Sequence, residues 1–329
     1  MTGITGPLSQ YLPAAIAFVA AWAALALLMR QAGGLPLDRP NDRSLHGRTL
    51  PRGGGIAIWA GWLAGTLWVT GPRPWLIPLL AVIAVSLWDD RRGVPAALRL
   101  AVQAGAAALW LWLEAPGVSA PVAILAILWM ANLYNFMDGS DGLAGSMTLA
   151  GFGAYAAVAG WVGDPDAGLF LALVAATLPF LLRNLPPARV FLGDVGSVPL
   201  GFLAAAFGIA GWSSGTWPAW FPPLVFLPFV ADASVTLARR LLAGARVWQA
   251  HREHYYQRLV QLGWGHRRTL RVYVALMLGC AGSAVFAALR APAMGPLLLL
   301  GWSALLALLY LGIELMWRKR GEGVGDSER

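Results

Sequence analysis

The sequence is dominated by apolar runs that recur along its whole length, and no other feature constrains the fold as strongly. A helix that crosses a membrane needs about 20 mostly apolar residues. Only 12% of the residues are charged, which is about half the share in an ordinary soluble domain. The sequence therefore predicts an all-α integral membrane protein, a polytopic bundle of about eleven transmembrane helices. The predicted spans are 9–30, 54–71, 74–89, 98–114, 119–136, 143–162, 167–184, 196–213, 218–238, 271–289 and 294–316.

The distribution of basic residues predicts the orientation of this bundle. Cytoplasmic loops of membrane proteins are enriched in Lys and Arg. With the N-terminus on the periplasmic side, 22 of the 24 Lys and Arg residues fall on the cytoplasmic side, and only Arg73 and Arg290 do not. Ten spans remain an alternative, because 74–89 is short and 218–238 contains four prolines. Since topology explains the positive charge, no nucleic-acid partner is expected.

The chain is expected to form one polytopic domain over residues 1–320, followed by a short polar cytoplasmic tail over 321–329. Most acidic residues near the predicted membrane boundaries fall on the cytoplasmic side, so one face collects the polar chemistry. A transporter more often buries its polar groups near the membrane midplane. A polytopic transporter or lipid-binding protein remains the alternative to an enzyme. The single Cys280 lies in an apolar run, so no cysteine metal site is expected.

The sharpest polar signal is the stretch from Asn132 to Met147, which joins two apolar runs. Asp138 and Asp141 are three residues apart and share one face of a helical turn, while Asn132 and Asn135 add amide groups. Carboxylate oxygens with few basic neighbours suit Mg²⁺, which proteins usually hold with one or two carboxylates plus substrate phosphates. The alternative is a polar loop that caps two helices.

Two further motifs carry carboxylates. Asp89 and Asp90 end the third predicted span, directly before two arginines. Adjacent carboxylates repel each other unless a cation or an arginine lies between them. A divalent metal, a base at a phosphate site and pairing with their own arginines are the alternatives. Asp194 lies between glycines just before the span 196–213, where it either caps that helix or binds a metal.

Basic residues concentrate in two predicted cytoplasmic loops. The first loop holds four arginines, the last of which is Arg52, and ends in a triple glycine. It could bind phosphates, because glycine allows close backbone approach and arginine gives bidentate contacts. The alternative is a basic loop followed by glycines that let helices pack. The longest loop, 239–271, contains His251, Arg252 and His254. These side chains suit a phosphate site better than Zn²⁺, which would need further nitrogen or sulfur ligands. His46 and His266 are expected to be ordinary loop residues.

In this order, the motifs resemble those of the polyprenyl-phosphate N-acetylhexosamine-1-phosphate transferase family. The resemblance rests on Asp89-Asp90, on Asn132 to Leu143, on Gly193 to Ser197 and on His251 to His254. It implies ten or eleven membrane helices, with the active site on the cytoplasmic face of the bacterial inner membrane. It also implies Mg²⁺-dependent (or Mn²⁺-dependent) transfer of a sugar-1-phosphate from a UDP-N-acetyl sugar to polyprenyl phosphate, with release of UMP. Such a step starts O-antigen or other cell-envelope glycan synthesis.

Carried over by position, the resemblance assigns roles to individual residues. The implied metal-binding residues are Asp194, Asp89 and Asp90. The implied catalytic residues are Asp89, Asp90, Asp138, His251 and His254. The implied substrate-binding residues are Asn132, Asn135, Asp141, Asn184, Arg52 and Arg252. Asp89 is the candidate base, although the lipid phosphate is mostly dianionic at neutral pH because its second pKa is about 6, and a base is then not required.

Two departures separate the chain from the peptidoglycan branch of that family. That branch has a lysine three residues after its Asp-Asp pair, where this chain has Gly93, and three consecutive histidines where this chain reads His-Arg-Glu-His. Arg91, Arg92 or Arg99 could replace the lysine, although the two residue types are not equivalent at a phosphate. The branch that starts O-antigen or glycan chains is therefore expected. A homodimer is also possible, since the abundant small residues can pack helices within or between chains.

Overall fold

The computed structural model of the chain describes residues 11–30, 37–38, 45, 49–246 and 251–326. Every predicted span falls on a helix or a pair of helices, which confirms the all-α architecture. Three arginines of the first loop and His46 lie outside the described residues. The α-helices are α1 (Leu12–Arg30), α2 (Gly54–Thr70), α3 (Leu76–Arg92), α4 (Ala96–Glu114), α5 (Ala120–Phe136), α6 (Leu143–Val162), α7 (Ala167–Asn184), α8 (Asp194–Ser213), α9 (Phe221–Val225), α10 (Leu227–Leu242), α11 (Tyr255–Leu259), α12 (Gly265–Arg290) and α13 (Gly295–Asp326).

Seven helical segments within the described residues are long and apolar enough to cross a membrane. They are α1, α4, α6, α7, α8, the continuous segment Tyr255–Arg290 and the segment Pro292–Arg320. Helices α2 and α5 contribute shorter apolar stretches. The chain is therefore a multi-pass membrane protein, and the count of eleven spans stays a prediction. Helix α13 continues to Asp326, so the predicted polar tail begins as an extension of this helix.

Helix α8 is the centre of the bundle. It packs against α5, α3, α2 and α4, and most of its residues are buried. Close packing depends on its small residues: a Cβ atom added at Gly201 would lie 2.4 Å from the carbonyl oxygen of Met130 in α5. Because α8 begins at Asp194, the most enclosed helix delivers a carboxylate to one end of the bundle.

A short hairpin lies at the same end of the molecule. Strand β1 (Leu37–Asp38) pairs in antiparallel fashion with β2 (Leu50–Pro51). The chain then forms a parallel bridge between Arg52 and Phe191, two residues before Gly193 and the start of α8. The hairpin therefore fastens the first loop beside the N-terminus of α8.

The predicted span 218–238 is broken into two helices, α9 and α10, at Phe226. Prolines at both sides of this break remove backbone donors that a continuous helix would use. After α10 the chain forms the short helix α11, a π-helical turn (Val260–Trp264) and then α12. Helix α13 packs on α10, α11 and α12, so the last four helices form a corner of the bundle that carries the histidine motif.

Candidate active site

Polar side chains from five segments converge on one cavity of about 300 Å³, at the end of the bundle where α5 ends and α8 begins. Its polar lining consists of Asp38, Arg52, Asn135, Asp138, Asp141, Asp194, His251, Tyr256, Gln257 and His266. The structure thus brings six of the residues singled out from the sequence to one place: Arg52, Asn135, Asp138, Asp141, Asp194 and His251. These residues are far apart in the chain, so the fold and not local sequence assembles the site.

The loop between α5 and α6 supplies two carboxylates. Gly142 precedes α6 with a φ of 77°, a backbone conformation that favours glycine, and the loop presents Asp138 and Asp141 to the cavity. Burial raises the pKa of Asp138 well above its ordinary value, and the nearby Asp194 raises it further. The two carboxyl groups therefore disfavour each other's charge, and a cation between them would relieve that repulsion.

Tyr256 of α11 fastens this loop to the opposite wall. Its hydroxyl donates a hydrogen bond to the carbonyl oxygen of Phe136 at 2.9 Å. A Cβ atom added at Gly139 would lie 2.2 Å from the same hydroxyl oxygen. Glycine at position 139 is therefore explained by the close approach of Tyr256, and the contact holds Asp138 between two fixed points.

Asp194 begins α8 and faces the cavity with few neutralising partners. Its carboxylate accepts a hydrogen bond from the Asn135 side chain, and its Oδ2 lies 3.7 Å from Nη1 of Arg99. The side chain is partly exposed to the cavity. Of the sequence-derived candidates for a metal ligand, Asp194 is therefore the one with oxygen atoms directed to open space.

Asp89 is paired within the protein and does not line the cavity. One of its oxygens accepts the N–H of Val94 at 2.6 Å, and the other binds the guanidinium group of Arg99. The side chains of Arg91 and Arg92 are exposed. Of Arg91, Arg92 and Arg99, Arg99 is the one that lies close to the carboxylates of both Asp89 and Asp194. It is therefore the best placed of the three to replace the lysine of the peptidoglycan branch.

Asp90 caps α8 and is not placed as a metal ligand. Its two oxygens accept the backbone N–H groups of Asp194 at 3.1 Å and Val195 at 2.9 Å. Within the described residues, no three His, Cys, Asp or Glu side chains form a ready-made metal cluster. Asp89 and Asp90 accept hydrogen bonds from protein donors, and only Asp194 of the three lines the cavity. The metal-binding roles of Asp89 and Asp90 stay predictions.

The triple glycine packs two helices together, which corrects the expectation of a phosphate-binding loop. The N–H groups of Gly53 to Gly55 donate to the carbonyl oxygens of Phe191 and Leu192 at 2.9 to 3.2 Å. A Cβ atom on Gly55 would lie 2.4 Å from the Cα atom of Gly196. The backbone donors are used, and the absence of side chains lets α2 cross α8.

Arg52 lines the cavity, whereas the three glycines that follow it do not line the cavity. Its Nη2 donates to Oδ1 of Asp38 at 2.6 Å, and its Nη1 lies 3.7 Å from Oδ1 of Asp90. Two carboxylates therefore hold the guanidinium group at the rim, where its remaining donors are available to an anion.

Two predicted substrate-binding amides are used inside the fold. Asn132 donates to Oε1 of Gln103 in α4 at 3.1 Å. Asn184 is buried, accepts the N–H of Gly142 at 2.8 Å and donates to the carbonyl oxygen of Val190 at 2.8 Å. Neither lines the cavity. Asn184 instead supports the loop that carries Asp141, so its contribution to the site is indirect.

The three basic residues predicted for the site from the last loop, His251, Arg252 and His254, lie in different environments. His251 lines the cavity. Burial lowers the pKa of His251 to about 4, and the neighbouring His254 and arginines lower it as well, so its ring is neutral at pH 7. His254 is 2% exposed and its Nδ1 lies 3.4 Å from the buried Asp232. Arg252 is exposed and outside the cavity lining. The structure therefore does not support direct roles for His254 and Arg252.

His266 was expected to be an ordinary loop residue, and this expectation is wrong. It begins the regular part of α12 and lines the cavity. Its Nδ1 accepts the N–H of Asp141 at 3.3 Å and lies 2.9 Å from the hydroxyl of Ser140. Its Nε2 lies 3.2 Å from the carbonyl oxygen of Leu45, and these partners place the proton on Nε2. The sequence signal that could have found it is the Gly-Trp-Gly break just before it.

Comparison with known proteins finds similar sequences over most of the chain. Residues 73–212 match the family described as glycosyl transferase family 4. The chain is 28% identical over 337 residues to a decaprenyl-phosphate N-acetylglucosaminephosphotransferase of Mycobacterium tuberculosis, covering 83% of this chain and 82% of the relative. It is 28% identical over 281 residues to an undecaprenyl-phosphate alpha-N-acetylglucosaminyl 1-phosphate transferase of Yersinia pestis, covering 75% and 76%. A phospho-N-acetylmuramoyl-pentapeptide-transferase of Staphylococcus saprophyticus is 32% identical over 171 residues, covering 50% and 52%.

Proposed function

The chain belongs to glycosyl transferase family 4, and from this premise we propose that it transfers a sugar-1-phosphate from a UDP-N-acetyl sugar to polyprenyl phosphate, with release of UMP. The observation that carries the proposal is the single cavity in which Asp138 and Asp194 face Arg52 and His251 at one end of a membrane bundle. Phosphoryl transfer asks a protein mainly for positioning and charge neutralisation, and these four side chains are suited to both tasks.

We propose that Asp194 holds Mg²⁺, with Asp138 opposite it. The nearby donors are oxygen atoms from two carboxylates and the amide of Asn135, and oxygen ligands are those that Mg²⁺ and Mn²⁺ prefer. Burial and the nearby Asp194 raise the pKa of Asp138 although Arg52 acts to lower it, and a cation at this place would favour the ionised carboxylate. Mg²⁺ needs only one or two carboxylates when substrate phosphates complete its ligands. Bound there, it would neutralise charge on the diphosphate.

The basic side chains act on the phosphates. Arg52 is held at the rim by Asp38 and offers its remaining N–H groups to phosphate oxygens. His251 is neutral at pH 7 because its pKa is lowered to about 4, and it donates through one ring nitrogen. An oxygen of the lipid phosphate attacks the β-phosphorus of the UDP-sugar, and the bond from that phosphorus to the bridging oxygen breaks as UMP leaves. The attacking phosphate is already dianionic, so no protein base is invoked for Asp89.

Two further walls suit the remaining parts of the substrates. Asp141 and His266 form the wall that we assign to the nucleotide, and the backbone N–H of Asp141 donates to Nδ1 of His266. An apolar groove of about 260 Å³ follows α5 past Trp129 and Leu133 toward the cavity. A polyprenyl chain in this groove would lie against membrane-facing side chains, while its phosphate reaches Asn135. This arrangement favours a transferase over a transporter, because the polar groups lie at one end of the bundle.

We also propose that the cavity faces the cytoplasm of a bacterium, across the inner membrane, with the N-terminus periplasmic and eleven spans in one domain over residues 1–320. The positive-inside distribution of Lys and Arg supports this orientation. UDP-sugars are then available to the cavity directly. The branch that starts O-antigen or other envelope glycans remains our proposal for the pathway class.

The test is a transfer assay with purified protein in detergent, polyprenyl phosphate, Mg²⁺ and a panel of UDP-N-acetyl sugars, with released UMP as the readout. Release of UMP with one sugar, dependent on both the lipid and the metal, is the expected result. Absence of UMP with every sugar, from protein shown to be folded, would overturn the proposal and return the transporter or lipid-binding alternative.

A further inference from the structure

Asp232 of α10 is fully buried and lies outside the cavity lining, yet donors from α11 and α12 bind its carboxylate. Oδ1 accepts the backbone N–H of Tyr255 at 2.9 Å, and Oδ2 accepts that of Tyr256 at 3.0 Å. The hydroxyl of Tyr273 in α12 donates to Oδ2 as well. A buried carboxylate is costly unless it is hydrogen-bonded, and here both oxygens are.

These bonds fix the start of α11. The first N–H groups of a helix have no partner within it, and Asp232 satisfies two of them from another helix. The ring of His254, just before α11, lies with Nδ1 3.4 Å from Oδ1 of Asp232. Asp232 therefore helps to set the direction in which α11 leaves the preceding loop, together with Gln257, whose Oε1 accepts the N–H of His254 at 3.2 Å.

The start of α11 in turn positions two cavity residues. His251 lies three residues before His254, and their ring centroids are 4.9 Å apart. Tyr256 follows within α11 and holds the carbonyl group of Phe136, two residues before Asp138. A contiguous path of contacts therefore runs from Asp232 to both walls of the cavity.

We propose that Asp232 is a positioning residue for the transfer reaction, which fixes the N-terminus of α11 and thereby holds His251 and Tyr256 at the cavity. The inference rests on the proposed function for its catalytic meaning, and on the hydrogen bonds above for its physical content. Asp232 does not line the cavity itself. It binds the backbone N–H of Tyr256, so its effect passes through residues 251 to 256.

Helix α13 makes the outer side of α11 equally fixed. The ring of Tyr255 stacks on Tyr310 of α13 with centroids 4.1 Å apart. Glu314 of α13 pairs with Arg239 at 3.3 Å and with Arg258. Since α11 is clamped from outside by these contacts, loss of the inner contact at Asp232 should release its first turn without detaching the whole segment.

The experiment compares Asp232→Asn with the wild type. The carbonyl oxygen of the introduced amide can accept the N–H of either Tyr255 or Tyr256, but the amide NH₂ then faces the other N–H. One charge-assisted hydrogen bond is therefore replaced by an unfavourable contact between two donors. We expect kcat to fall about 10- to 100-fold, while KM for the UDP-sugar changes little. Amide hydrogen exchange of residues 255–259 should become about tenfold faster or more.

A double-mutant cycle with His251→Ala separates positioning from general damage. If Asp232 acts through His251, the double variant is scarcely slower than His251→Ala alone, because the effects of residues in one network are not additive.

Asp164→Asn is the matched control: Asp164 also accepts a backbone N–H and a hydroxyl, at the far end of α6, and its variant should retain wild-type turnover. Tyr273→Phe removes only the hydroxyl donor and serves if Asp232→Asn does not fold, with a smaller loss expected.

Wild-type turnover and unchanged exchange in the Asp232 variant would overturn the inference. So would a rate loss that multiplies fully with that of His251→Ala. If the wild type releases no UMP with any sugar, the proposed function fails, and the exchange measurement alone decides whether Asp232 holds α11.

Discussion

Asp194 combines two features that rarely occur together: it begins the central helix, and its carboxylate faces open space. Asp90 binds the backbone N–H of Asp194 at 3.1 Å, so the main chain at this position is held while the side chain stays available. A residue with this geometry can bind a cation without rearrangement of the helix, which is the preorganisation that electrostatic catalysis requires.

Asp194→Asn should therefore abolish transfer without unfolding the protein. The amide keeps the shape and the main-chain contact but loses the charge that holds Mg²⁺. We expect UMP release to fall at least about 100-fold, and Mn²⁺ binding followed by electron paramagnetic resonance to weaken in parallel. Retained turnover at saturating metal would remove Asp194 from the metal site.

His251 predicts a pH dependence of stability. Its pKa is lowered to about 4 in the folded chain, whereas the unfolded chain has the ordinary value of about 6.5. Between these values the unfolded chain binds more protons, so this residue's contribution is full above about pH 6.5 and is lost as pH falls toward 4. The raised pKa of Asp138 acts in the opposite direction, so only a comparison of variants isolates the histidine.

We therefore expect the thermal midpoint of the ligand-free wild type to fall more steeply between pH 7 and pH 5 than that of His251→Gln. Both proteins would be followed in the same detergent by tryptophan fluorescence. Parallel slopes for the two proteins would show that His251 is not protected from protonation in the folded state.

At this scale the sequence allows part of the site to be predicted. Asp138 and Asp194 were found because glycines beside them, at the ends of apolar runs, mark carboxylates that have no local partner. The bonds that Asn132 makes to Gln103 and Asn184 makes to Gly142 could not be predicted, because only the fold brings these partners near. An amide in a polar motif looks the same whether it faces substrate or a neighbouring helix.

At the scale of helices, the crossing of α2 and α8 depends on small residues. A Cβ atom on Gly55 would meet the backbone of Gly196 at 2.4 Å, and backbone atoms cannot rotate aside as a flexible side chain can. The crossing also aligns Arg52 with the start of α8, because the bridge from Arg52 to Phe191 adjoins it. Helix packing and cavity geometry are thus coupled here.

Gly55→Ala should destabilise the protein by about 1–3 kcal/mol, the range for overpacked sites, and should lower transfer through the displaced Arg52. Gly282→Ala in α12 is the control, since a Cβ atom there meets nothing within 4 Å. That change should be neutral or stabilising by up to about 1 kcal/mol. Thermal unfolding in detergent measures both, and equal midpoints for the two variants would contradict the packing argument.

Helix positions were predictable because the length of each apolar run reflects the membrane itself. The break at Phe226 was signalled only indirectly, by the prolines that made the span 218–238 uncertain. The formation of α11 and a π-helical turn directly after the histidine motif was not predictable. The residues that stabilise α11 are distant in the chain: Asp232 on its inner side and Glu314 on its outer side. Tertiary contacts, not local propensity, decide such short elements.

For the whole molecule, the polar cavity, the hairpin and the histidine motif all lie at one end of the bundle, and 22 of the 24 Lys and Arg residues are assigned to that side. The distribution of basic residues and the position of the polar cavity therefore both support the prediction that the cavity end of the bundle faces the cytoplasm. A UDP-sugar is made in the cytoplasm as a soluble, highly charged molecule that does not cross a bilayer, so the orientation decides whether the proposed reaction can occur.

Cysteine labelling in whole cells tests this orientation. Cys280 is buried and would be replaced by alanine to give a silent background. Arg92→Cys at the end of α3 and Ser119→Cys just before α5 replace exposed residues on either side of α4, one of the helices long enough to cross a membrane. We expect a membrane-impermeant maleimide to label Ser119→Cys in intact spheroplasts and Arg92→Cys only after permeabilisation, because the positive-inside rule places Arg92 in the cytoplasm.

The reverse pattern would put the cavity outside, away from UDP-sugars, and would contradict both the topology and the donor proposed for the enzyme. Labelling of both positions from one side would show that α4 does not span the membrane and would reduce the number of crossings.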